Sequence, residues 1–302
     1  GVLTAASADL QGGTSYTLNS ANSIGSVTAN TGTLSLTNNR TTSTLGAVTT
    51  TGALTLSTTG TISQLASTAL TATALTLNGA NGAYTLTNSG NNFATLTGST
   101  GSISVADMTA LSVGPVTTTG GLSVTSGGAL TVDGAVLVGG GSTSLLRSTA
   151  GDVTVNATVR KSSGATSSIQ LTASNRVSVN TGISSLGGVF DTAITAGAGG
   201  IGLNASVNTA GGTLTLDTTG MSTQTAALTT GTLTLNGSGT HSLSENNVFS
   251  TLTASTGSIT LVNRAATTTF GAITANSLQY NGAGTSLMLN GAVTVSGLLS
   301  LT

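Results

Sequence analysis

Residues 241–261 read HSLSENNVFSTLTASTGSITL, and near-copies of this block recur along the chain. Residues 84–105 read YTLTNSGNNFATLTGSTGSISV, and residues 16–36 read YTLNSANSIGSVTANTGTLSL. A fainter version, IQLTASNRVSV, occupies 169–179. Superposed, the copies place Val27, Leu96, Leu171 and Leu252 at one position, with spacings of 69, 75 and 81 residues. A block that recurs in this way signals a repeat architecture, in which each unit buries its apolar face only against its neighbours.

Within and around the block, apolar residues come as i, i+2 pairs separated by one small polar residue. Leu34/Leu36, Leu54/Leu56, Leu75/Leu77, Ile103/Val105 and Leu122/Val124 are examples, continued by Leu214/Leu216, Leu233/Leu235, Ile259/Leu261, Leu278/Tyr280 and Leu287/Leu289. Period two is the strand signal, with Leu or Val facing inward and Thr or Ser outward. The pairs recur after 19–21 residues in many places (34 to 54, 54 to 75, 103 to 122, 214 to 233, 259 to 278). Steps of 26–28 at 75 to 103 and 233 to 259 read as turns with longer loops. Thr31-Gly32, Thr100-Gly101 and Thr256-Gly257 precede a pair at corresponding places, and these glycines are expected to supply positive φ at tight turns.

The expected fold is therefore all-β: a parallel β-helix, or β-solenoid, with coils of roughly 20–25 residues stacked about 4.8 Å apart. That gives on the order of 13 coils and a rod about 60 Å long. Thr, Ser and Asn at one site of successive coils are expected to form ladders. Residues 1–302 read as a single solenoid segment of a longer protein, with a less regular stretch at about 139–200 that holds Gly139-Gly140-Gly141, Gly187-Gly188 and Gly199-Gly200. The chain opens GVLTAASADL and ends inside a repeat, so a signal peptide is expected upstream of it.

Composition narrows the function classes. Charged residues make up 4% of the 302 and aromatics 2%, with 43 Gly, one Pro, no Cys and a formal net charge of −1. Disordered chains combine high charge with few apolar residues; here 37% are apolar on a strict pattern, which favours order. The charge offers no attraction for nucleic acid or an anionic membrane. No run of about 18 apolar residues exists, so no transmembrane helix is expected, and the aromatic girdles of a membrane barrel are missing. The lack of Cys excludes disulfides and thiolate metal sites.

Residues able to carry chemistry are few. His241 is the only His and stands where Tyr16 and Tyr84 stand in other copies, so it reads as a coil-surface residue. The seven acids, Asp9, Asp107, Asp133, Asp152, Asp191, Asp217 and Glu245, are scattered. Asp133 and Asp152 lie one coil apart, but one follows an apolar pair and the other precedes one, so they read as turn residues rather than a general acid/base pair. GGTLTLDTTG at 211–220 approaches a calcium β-roll nonapeptide without repeating it. Arg147, Arg160, Lys161 and Arg176 read as solvated loop charges that could meet an acidic glycan. Phe93, Phe249 and Ile24 share one repeat position and read as core; Tyr16 and Tyr84 read as packing over a neighbouring coil. No catalytic, cofactor-binding or metal residue is expected, and the chain is not read as an enzyme.

The unit [YH]-[ST]-L, then Asn/Ser residues, then [FI]-x-x-[LV]-T-x-x-T-G-x-[LI]-x-[LV], resembles repeats of filamentous-haemagglutinin-like adhesins of Gram-negative bacteria. NNFATLTGSTGSISV and NNVFSTLTASTGSITL carry the likeness best. The resemblance implies a right-handed β-helix, export by two-partner secretion and a place at the cell surface. The NPN-type motifs of that family's amino-terminal secretion domain are missing, so the resemblance is to an internal portion. The expected role is structural or adhesive: self-association into fibres or a surface layer, with host or surface glycans as further partners. A Thr-ladder protein binding ice or crystal surfaces and a polysaccharide-acting β-helix enzyme are the alternatives. Whether Thr55, Thr76, Thr215 and Thr234 share one flat face is left open by the sequence.

Overall fold

The period-two pairs meet as parallel strands. The computed structural model describes residues 1–282 and 286–302, and among these there is no helix; the strands, from two to 17 residues long, pair in parallel register. The described residues wind about 15 turns, against the 13 expected. The chain forms two compact units: Gly1–Gly139 with Ser144–Ala150, and Gly140–Thr143 with Gly151–Thr302.

In the first unit one column of inward side chains runs Leu34, Leu54, Leu75, Leu96, Val113, Val132. These numbers differ by 20, 21, 21, 17 and 19, so several turns are shorter than the expected 20–25 residues. A second column runs Ile62, Tyr84, Ile103, Leu122. The supposed 26–28-residue turns are thereby corrected. Leu75 stacks on Leu96, and Ile103 stacks on Tyr84, one side of the coil further on. The step from 75 to 103 changes side and contains no long loop; likewise Leu233 stacks on Leu252, not on Ile259.

In the second unit Leu171, Ile194, Leu216, Leu235, Ala254 and Ile273 form one column. Another runs Val177, Ile201, Ser222, His241, Ile259, Leu278. Strands between 151 and 200 are short, as at Val153–Val155, Val159–Lys161 and Ile183–Ser185, yet keep the same parallel ladders.

Inward and outward positions alternate as expected. Leu34, Leu77, Leu216, Leu235 and Leu261 are buried, while Thr55, Thr76 and Thr234 are half-buried on the outer surface. Each turn has three sides. Starting at Leu34, the inward pairs are Leu34/Leu36, Ser43/Leu45 and Val48/Thr50 before the column returns at Leu54. A side therefore carries only two or three inward residues. No turn closes a core alone, and burial comes from the turns above and below.

The expected role of three glycines is corrected. Gly32, Gly101 and Gly257 are not among the positive-φ residues. A Cβ at Gly32 would lie 2.2 Å from the Thr14 carbonyl oxygen, and one at Gly257 would lie 2.5 Å from that of Gly239. These positions need glycine because the backbone of the preceding turn approaches closely there.

Candidate functional site

The repeat block is built around buried polar residues as well as leucines. In three copies an Asn follows the aromatic or His position by six or seven residues: Asn22, Asn91 and Asn247, each buried. Sixteen residues later stands a second buried polar residue, Asn38, Asp107 or Asn263. The first Asn spans the corner of the coil. Asn247 Nδ2 donates to the carbonyls of Leu243 (3.0 Å) and Val262 (3.1 Å), and its Oδ1 accepts from the Leu228 N–H (2.9 Å). Asn91 repeats this with Leu86, Ala106 and Leu70, and Asn22 with Leu18, Thr37 and Leu3. Gln64 and Gln224 add an amide pair to the second and fourth copies, bonding Asn91 and Asn247 through both amide groups.

The second residue clasps the backbone of the position shared by Ile24, Phe93 and Phe249. The N–H groups of these three donate to Asn38 Oδ1 (2.9 Å), Asp107 Oδ2 (2.6 Å) and Asn263 Oδ1 (3.1 Å). Asn38 and Asn263 return a bond to the Ile24 and Phe249 carbonyls, each at 2.8 Å. Asp107 instead accepts from the N–H and hydroxyl of Thr109. Ile24, Phe93 and Phe249 are fully buried, as expected for core.

A third device lies one turn beyond each copy. Ladder register shifts between Val27 and Ala29, between Leu96 and Gly98, and between Leu252 and Ala254. The opposing segments read LGAVT (45–49), VGPVT (113–117) and FGAIT (270–274). In each, an added Cβ on the glycine would lie 2.7–2.8 Å from the methyl of Thr28, Thr97 or Thr253. The single proline, Pro115, sits in one of these bulges, where a missing N–H is tolerated. Leu171 shows no such shift in its pairing, so the fainter copy lacks the device.

The residues weighed for chemistry fall as follows. His241 is fully buried, which corrects its placement on the coil surface. Its Nε2 meets the Asn236 carbonyl at 3.2 Å, just as the Tyr16 and Tyr84 hydroxyls reach back to the carbonyls of Gln11 (2.8 Å) and Asn78 (2.6 Å). Burial lowers the imidazole pKa, opposed by the Asn236 bond and the Asp217 charge. Burial also raises that of the Tyr84 phenol. Lys161, read as a loop charge, is fully buried; its Nζ donates to the carbonyls of Ser162, Gly164 and Gly187 at 3.1, 3.1 and 2.6 Å. Arg147, Arg160 and Arg176 are exposed.

The acids hold turns and strand edges. Asp9 accepts from Gln11 and Thr28, which lowers its pKa; Asp133 accepts from Ser112 and Thr131; Asp152 from Asn175; Asp191 from the Thr213 N–H. No group of three His, Cys, Asp or Glu side chains gathers as a metal site among the described residues. Ser222 and His241 are neighbours in one column near Asp217, the residue types of a nucleophilic triad, but both are fully buried and out of a substrate's reach.

The outer surface carries ladders. Thr55, Thr76 and Thr97 stack in register, with a hydroxyl contact of 3.1 Å between the last two. In the second unit Thr213, Thr232 and Thr251 stack beside Thr215, Thr234 and Thr253, two columns on one face. Asn156, Asn180 and Asn204 form a chain of amide bonds at 2.9 and 2.8 Å. The Thr columns and the amide chain realise the expected polar ladders.

A family model described as Repeats of unknown function (DUF5649) matches residues 31–100 and again 100–168. The chain is similar to those repeats over two successive copies, whose 69-residue step equals the spacing of Val27 and Leu96. No curated protein and no solved structure matches the chain.

Proposed function

We propose that this chain is a structural or adhesive segment of a solenoid exported to the surface of a Gram-negative bacterium. It self-associates into fibres or a surface layer, carries no catalysis of its own, and meets glycans through its polar ladders. The observation that carries this reading is the unbroken run from residue 41 to residue 106 without a charged side chain, wound as stacked coils whose outward positions are mostly Thr, Ser, Asn, Ala and Gly, with Leu65 also exposed. Such a surface has no like-charge repulsion to keep copies apart. The export route and the cell-surface location rest on the resemblance of the repeat unit to filamentous-haemagglutinin-like adhesins.

Sedimentation velocity across the micromolar range tests the assembly. The expected result is a rise in mean sedimentation coefficient with concentration; one monomeric boundary throughout defeats the proposal. The paired Thr columns of the second unit favour a second reading, binding of ice or another crystalline surface. It requires measurable thermal hysteresis, and a solution without it removes that reading.

A further inference from the structure

Two side-chain atoms lie buried without a hydrogen-bond partner among those described: Ser222 Oγ and His241 Nδ1. They belong to consecutive rungs of one column, since Ser222 pairs with His241 in the parallel ladder. Rungs lie about 4.8 Å apart, so the two side chains are stacked neighbours inside the coil, with no hydrogen bond between them in this arrangement. The needs of the two atoms are complementary. Asn236 offers only a carbonyl to Nε2, so the bond between them requires the hydrogen on Nε2. In the neutral ring Nδ1 is then an acceptor, and the hydroxyl of Ser222 is a donor.

We infer that Ser222 and His241 act as a buried proton-responsive pair: a turn of the Ser222 side chain brings its hydroxyl to Nδ1 of a neutral His241, and a proton gained at Nδ1 loosens the turns spanning 221–261. The surroundings favour the neutral ring. The rung below, Met221–Gln224, and the rung above, within Thr251–Asn263, bring no titratable group. His241's own strand, Thr240–Asn247, carries Glu245, which is exposed. From the strand Thr213–Thr218, Asp217 is the carboxylate whose charge reaches the ring and opposes the effect of burial. Burial dominates and holds the imidazole below its ordinary value of 6.5. The unfolded segment therefore takes up the proton first. Stability is full above about pH 6.5 and declines as pH falls, the opening constant rising by up to about tenfold per pH unit until the folded state also protonates.

His241 is the only histidine, so nitrogen-15 NMR of the imidazole reads it without ambiguity. The expected spectrum at pH 7.5 shows the Nε2–H tautomer, with a midpoint below 6.5 on acidification. Ser222→Ala is expected to move the Nδ1 resonance. Protection factors, in which the intrinsic pH dependence of exchange is divided out, are expected to fall within 221–261 between pH 7.5 and pH 5 while those of residues 34–56 stay unchanged. His241→Tyr, which copies Tyr16 and Tyr84 and can keep the carbonyl bond, is expected to abolish that pH-dependent loss of protection. An Nδ1–H tautomer, a midpoint at or above 6.5, or an Nδ1 resonance unmoved by Ser222→Ala overturns the inference. These readings hold even if His241→Tyr folds poorly.

Discussion

At the scale of single residues the fold rests on alternation, and neighbouring positions have opposite sensitivities. Leu235 is buried between Leu216 and Ala254, whereas Thr234 lies on the outer face. Leu235→Asp places a carboxylate among apolar side chains and is expected to cost several kcal/mol. Thr234→Asp is expected to stay within about 0.5–1 kcal/mol. Chemical denaturation of the two variants checks this, and equal losses would contradict the strand at Thr232–Asn236. The buried asparagines are a second class of sensitive residue. Asn247→Leu is close in size but orphans the Leu228 N–H and the Gln224 amide oxygen, at about 1–3 kcal/mol for each buried group left unpaired. Its midpoint of unfolding should fall more than that of Asn180→Leu, whose ladder is exposed. The leucine columns were legible in the sequence because period two has only one inward set. The asparagines were not recognised as clasps, since Asn in a Gly-rich segment reads first as a turn residue. The signal was the constant sixteen-residue interval in Asn22/Asn38, Asn91/Asp107 and Asn247/Asn263.

At the scale of the turn, contacts run only to the turns above and below, so damage should stay local. Hydrogen exchange of Leu235→Asp is expected to show loss of protection in the strands that stack on 232–236. The strand Ala53–Ser57 should keep its protection. Glycines set the tightest tolerances at this scale. Gly257→Ala drives a methyl toward the Gly239 carbonyl, and the clash is expected to cost about 1–3 kcal/mol. A protein as stable as the wild type in a melting experiment would show that the neighbouring turns can part at that corner. Sequence reading placed these glycines at corners correctly and gave the wrong reason, because a close approach between turns leaves no mark on the local pattern. It also misjudged His241 and Lys161. Each is flanked by polar residues, Thr240 and Ser242 or Arg160 and Ser162, and looks solvated until the column it joins is known.

For the molecule as a whole, charge is scarce, at 4% of residues, and the proposed assembly can be tested on that ground. Association of nearly uncharged surfaces should respond little to salt, because there is little to screen. Raising sodium chloride from about 0.05 to 0.5 M should leave the sedimentation profile unchanged, whereas dissociation on adding salt would reveal charge pairing. One feature of the winding reaches further. Val27 lies on the side of the coil continued by Leu45 and Gln64, whereas Leu96 lies on the side of Leu34, Leu54 and Leu75. The 69-residue copy therefore falls one side short of four full turns. For a gene that grows by duplication, the module is then a whole number of sides, eleven here, and not a whole number of revolutions. An added or lost copy leaves every leucine facing inward, while everything downstream is re-aimed around the axis. Lineages carrying different numbers of copies would share an identical interior and point the same surface letters in different directions.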